Sequence, residues 1–108
     1  MKLENITEAS LDERLKVRDK FVMIDFWASW CGPCKSLAPI LEDLKDGYGQ
    51  SVDMFTASIE DEPGLAASHM VMSVPTLVFY RNGERLKTVS GGKTRVQMIE
   101  LFEELKTV

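Results

Sequence analysis

Phe26-Trp27-Ala28-Ser29-Trp30-Cys31-Gly32-Pro33-Cys34-Lys35 is the stretch on which the fold turns, because a strand pattern gives way there to a helical one. Upstream, Phe21 to Ala28 is almost wholly apolar, as expected of a central strand covered on both faces. Downstream, Leu37, Ile40, Leu41, Leu44 and Tyr48 recur at helical spacing and predict a helix from Cys34 to about Tyr48. Pro39 falls inside that helix, where it removes a hydrogen bond and is expected to kink it. A Cys-x-x-Cys pair is shared by zinc knuckles and redox dithiols. A closed zinc site needs four ligands, and the chain has two cysteines and one distant His69, so only an ion shared by two chains fits. An inert apolar pair is the other plain reading, since free Cys often serves as small core filler.

The dithiol reading accounts for each residue type. Two intervening residues let the sulfurs close a ring with Cβ atoms within about 4 Å of each other. Gly32 permits the tight turn, and Pro33 fixes φ and suits a helix's first turn, so these two tune the dithiol. Cys31 then stands at a helix N-terminus, where free N–H groups and the macrodipole favour a negative sulfur. The thiolate is the attacking species, which makes Cys31 the candidate nucleophile. Cys34, one turn further in, is expected to be shielded and to attack only a partner bonded to Cys31: a resolving cysteine.

Asp25 is the second clue. A charged, unpaired carboxylate in the middle of an apolar strand costs several kcal/mol, so its pKa is expected to rise. Such a group near the inner sulfur suits general acid–base work on Cys34, through a water. The plainer alternative is a carboxylate that reaches solvent or a backbone donor.

The rest of the chain sets the frame. Its 108 residues fit one domain, 1–108, and by size scaling bury roughly two-thirds of the unfolded surface. With 44% hydrophobic and 28% charged residues it has the composition of an ordinary globular protein. Two cysteines are too few for a disulfide-stapled scaffold. The formal charge of −4 argues against nucleic-acid binding, and the longest apolar run is too short for a bilayer. Met1-Lys2-Leu3-Glu4-Asn5 lacks a secretion signal's apolar stretch, so a reducing, cytoplasmic setting is expected; the chain is also expected to be a monomer.

Elements are expected as a weak strand at 2–6, a helix at about 8–19 with Ser10 and Glu13 at capping-box spacing, and a strand from Val52 to Ile59. A short helix follows, with Pro63 near its first turn and the acidic run Glu60-Asp61-Glu62 as its solvated start. Strands at Thr76–Tyr80 and roughly Leu86–Val89 flank Asn82-Gly83, a hairpin signal. The last helix begins at Thr94 with Gln97 completing a capping box, its apolar face holding Val96, Ile99, Phe102 and Leu105. The order βαβαβαββα implies an α/β fold, a mixed sheet with helices on both faces.

Val22 to Lys35, Pro39, Ser73-Val-Pro-Thr76, Phe79, Asn82-Gly83-Glu84 and Gly91 together resemble the thioredoxin family, over essentially the whole length. The resemblance implies a thioredoxin fold, a five-stranded mixed β-sheet flanked by four α-helices, with Pro75 in a cis peptide bond facing the cysteines. It implies reduction of protein disulfides through a redox-active Cys31–Cys34 disulfide, with no bound cofactor and no metal. It also implies re-reduction by an NADPH-linked flavoprotein thioredoxin reductase. Trp30, Val74, Pro75 and Gly91 would line a flat substrate-docking surface, the Val74 backbone pairing with an extended segment. Trp27 reads as core packing. Two rivals stand beside this: a disulfide oxidase or isomerase of the same fold, and a non-enzymatic docking module.

Three positions depart from the family pattern. Thr56 stands where many members carry a lysine near the buried Asp, which leaves Asp25 easier to protonate. His69 replaces a common tyrosine and is read as structural, and Met70 replaces a frequent glycine. Met72 reads equally as an adaptable apolar contact on the docking surface or as gap filling.

Overall fold

The computed structural model describes residues 3–107. Phe21–Trp27 forms strand β2, which lies at the centre of the sheet because its side chains are apolar on both faces. Before it come β1 (Glu4–Asn5) and helix α1 (Glu8–Arg14). After it come α2 (Gly32–Tyr48), β3 (Val52–Ser58), α3 (Pro63–Ser68), β4 (Thr76–Arg81), β5 (Glu84–Ser90) and α4 (Arg95–Leu105). The sheet order is β1-β3-β2-β4-β5, with β1–β3 and β3–β2 parallel and β2–β4 and β4–β5 antiparallel. This is the expected five-stranded mixed sheet with four helices. Asn82 and Gly83, at φ 51° and 82°, make the turn between β4 and β5, as a two-residue hairpin with both central residues left-handed requires.

Strand alternation divides the core in two. Phe21, Met23, Val52, Met54, Leu77 and Phe79 point to the face covered by α2 and α4, where they meet Leu37, Leu41, Met98 and Phe102. Val22, Ile24, Phe26, Phe55, Val78 and Tyr80 point to the other face, against Leu65 and Ala66 of α3 and Leu11 and Leu15 of the α1 segment.

Several boundaries differ from the sequence expectation. The first strand is only Glu4–Asn5, and Lys2 lies outside the described residues. Helix α1 begins at Glu8, as expected, but its N-cap is Thr7 and its capping box is Thr7/Ser10, not Ser10/Glu13. Ser10 occupies the position three residues on and completes a reciprocal capping box with its hydroxyl, the role usually given to Glu or Gln. The helix stops at its C-cap Leu15 instead of running to residue 19. In α4 the buried stripe is Met98, Leu101, Phe102 and Leu105, the i, i+3, i+4, i+7 set; Val96 is exposed and Ile99 only half-buried. Helix α2 runs unbroken through Pro39, which sits on its exposed side.

Candidate active site

Strand β2 ends at Trp27, and three residues, Ala28 to Trp30, carry the chain to Cys31, the N-cap of α2. Cys31 takes an extended conformation (φ −92°, ψ 108°), and its Sγ accepts the Cys34 N–H at 3.2 Å. A sulfur thus fills the place usually held by a Ser, Thr or Asp oxygen at a helix start. Gly32 and Pro33 are the first two helical residues, and Pro33 has no N–H to leave unpaired there. Cys31 and Cys34 are joined as a disulfide with Cα atoms 5.3 Å apart. In this oxidised form the two cysteines are equally enclosed, at 4% and 3% exposure. The expected contrast between an open outer sulfur and a shielded inner one is therefore positional: one stands outside the helix, the other within its first turn.

Around the disulfide, Ala28, Trp27, Ile59 and Val74 pack against the two cysteines. The Val74–Pro75 bond is cis, and the Pro75 carbonyl accepts the N–H of Gly91 at 2.9 Å. Gly91 has φ 93°, a conformation other residues rarely hold. Trp30 is largely exposed, while Trp27 is half-buried. Val74, Pro75 and Gly91 are thereby linked to one another and, through Val74, to the cysteine pair.

Two site contacts are absent from the sequence reading. A Cβ built on Gly92 would touch Pro33 Cβ at 3.4 Å, so the β5–α4 loop lies close against the disulfide turn. Glu60 accepts both the Ser29 N–H (2.8 Å) and the Ser29 hydroxyl (3.1 Å), and these bonds lower its pKa. It is therefore a clamp on the loop preceding Cys31, and not merely a solvated helix start. Neither contact has a local sequence signal, since each joins segments tens of residues apart.

Asp25 is fully buried, and neither carboxylate oxygen has a hydrogen-bond partner among the described residues. This removes the plainer reading in which it reaches solvent or a backbone donor. Burial alone pushes its pKa from an ordinary 3.8 up to about 7. Alternation places Asp25 on the same face as Met23 and Trp27, the side covered by α2, and directly beside Leu77 of β4 and Thr56 of β3. Thr56 donates its hydroxyl to the Asp25 main-chain carbonyl at 3.2 Å. No charged side chain contributes to the Asp25 shift.

A helix-capping sulfur bonded to a second sulfur in the helix's first turn is equipped for exchange of disulfides. The sequence from residue 2 to 104 matches the thioredoxin family model. The chain belongs to the thioredoxin family. It is 35% identical over 104 residues to a thioredoxin of Staphylococcus haemolyticus, covering 96% of this chain and 98% of that protein. A thioredoxin of Staphylococcus aureus is equally similar, at 35% over the same share of each chain, and one of Staphylococcus epidermidis is 34% identical. The chain is thus a protein-disulfide oxidoreductase working by dithiol–disulfide exchange through Cys31 and Cys34. Thioredoxins need no bound cofactor, their redox group being a disulfide of the chain itself. Membership implies disulfide-bearing protein substrates, with thioredoxin reductase as the usual partner. Among the described residues no helix is long and apolar enough to cross a membrane.

Proposed function

We propose that the chain, as a single domain over 1–108, is a general reductase of protein disulfides in which Cys31, Cys34 and Asp25 have separate tasks. Cys31, as thiolate, attacks a substrate sulfur; the substrate disulfide breaks and a mixed disulfide forms, the departing sulfur taking up a proton. Asp25, as carboxylate, accepts the Cys34 proton through a water, and the Cys34 thiolate attacks Cys31 Sγ. The mixed disulfide breaks, the second substrate sulfur leaves and takes up a proton, and Cys31–Cys34 closes as a disulfide, having given two electrons to the substrate. Gly32 and Pro33 hold the turn that sets this dithiol. Trp30, Val74, Pro75 and Gly91 form the docking surface, over which an extended substrate segment pairs with the Val74 backbone. An NADPH-linked flavoprotein thioredoxin reductase returns the pair to the dithiol, and the protein works as a cytoplasmic monomer.

The observation that carries the proposal is the Cys31 sulfur in the N-cap position, receiving the Cys34 N–H. A donor aimed at that sulfur favours its anion over the thiol. Cys34→Ser leaves the mixed disulfide unable to resolve, so substrate proteins from cell extract are expected to accumulate on Cys31 and be released by dithiothreitol. Cys31→Ser is expected to trap nothing. Equal trapping by both variants overturns the division of labour. A Cys31–Cys34 reduction potential well above the cytosolic glutathione poise would favour an oxidase instead.

A further inference from the structure

Helix α3 ends in a Schellman turn. The Met70 N–H donates to the Ala67 carbonyl and the Val71 N–H to the Ala66 carbonyl, both at 3.0 Å. This closure requires a left-handed residue just past the cap, a position dominated by glycine. Here the residue is Met70, at φ 53°. An unbranched side chain in that region is strained, and Met70 is 75% exposed, so packing does not offset the strain. Two residues on, Met72 is 94% exposed, which excludes gap filling. Val71 between them is half-buried against the core, fixing the segment so that both methionines face outward.

The position of this pair gives it a use. Met72 is followed by Ser73 and then Val74, which packs on the Cys31–Cys34 pair. Two residues span at most about 7 Å, so the Met72 and Val74 Cα atoms lie within that distance of each other. A protein disulfide attacked at Cys31 brings the chain flanking its own cysteine up to the Val74 side of the disulfide, next to which this segment lies. We infer that Met70 and Met72 are specificity residues, which favour substrate segments carrying apolar side chains beside the target cysteine. The thioether side chains are flexible and polarizable, able to fit differing apolar partners without a preformed pocket. The inference rests on the disulfide-reductase reading above and names the substrate feature selected there.

The test uses the reduced full chain and two disulfide-linked peptide dimers, one with Leu, Val and Phe around its cysteine, the other with Ser, Thr and Asn. The double variant Met70→Gly/Met72→Ser is expected to lower the second-order rate constant about tenfold for the apolar dimer, by loss of partial methionine burial. The polar dimer should be reduced at nearly the original rate. Because glycine suits the left-handed position, the thermal midpoint is expected not to fall. An equal loss with both dimers, or no loss with either, overturns the inference. So does a wild-type dimer in sedimentation that the double variant dissociates, since the methionines would then cover a second copy. If the unaltered protein reduces neither dimer, the disulfide-exchange reading itself fails, and this inference fails with it.

Discussion

Asp25 and His69 are both buried ionisable side chains, set on opposite faces of one sheet, and their surroundings could hardly differ more. His69 Nδ1 donates to the Leu65 carbonyl at 2.9 Å, and Nε2 accepts from the Tyr80 hydroxyl at 2.6 Å. Its ring lies against Phe26, with centroids 5.3 Å apart. Every polar atom of the imidazole is matched, and burial lowers its pKa, favouring the neutral ring. Asp25 has neither oxygen matched among the described residues. A satisfied buried group specifies packing; an unsatisfied one is retained at a cost to stability that packing does not explain. The second pattern is the one to expect of a group kept for proton transfer.

The largest predicted effect concerns stability at neutral and alkaline pH. With its folded pKa raised to about 7 from 3.8, Asp25 binds a proton in the folded state that it has already lost in the unfolded one. Stability is therefore full below pH 4, falls as pH rises from about 4 to about 7, and stays low above. The total is about 4 kcal/mol at 1.4 kcal/mol per pH unit. Urea denaturation of Asp25→Asn across this range should show that decline abolished and the variant the more stable at pH 8. A parallel decline in both proteins would place the ionisation elsewhere.

Next in size is the kinetic counterpart. Asp25→Asn should slow Cys34 attack on a preformed mixed disulfide about a hundredfold, within the usual range for general base catalysis. The first attack by Cys31 should change little in stopped-flow traces. Equal slowing of both steps would reduce Asp25 to a structural group.

The smallest effect tests the matched side. His69→Phe leaves the Tyr80 hydroxyl buried without its partner and should cost about 2 kcal/mol, while the exchange rate is unaffected. Adding Tyr80→Phe should restore most of the loss, since removing both partners leaves no orphan. Failure of the second change to rescue would mean that ring packing, not the hydrogen bond, makes His69 useful.

Much of this was legible in the sequence, for local reasons. The apolar run of β2, the Asn82-Gly83 turn and the Gly32-Pro33 helix start each carry their physics within a few residues. The cysteines and Asp25 were legible because a carboxylate in such a run has few explanations. What escaped was of two kinds. Thr7 and Ser10 escaped because a serine hydroxyl took the acceptor role of a longer side chain. Glu60 with Ser29, Gly92 with Pro33 and His69 with Tyr80 escaped because their partners meet only when separate loops and strands are folded together.

Strand β2 is hydrogen-bonded to β3 along its whole length and to β4 from Phe21 to Phe26. A strand clamped on both sides exchanges its amide hydrogens only when the entire domain opens. The cysteine turn is thus launched from a strand gripped along both edges, so the nucleophile's mount is part of the sheet itself.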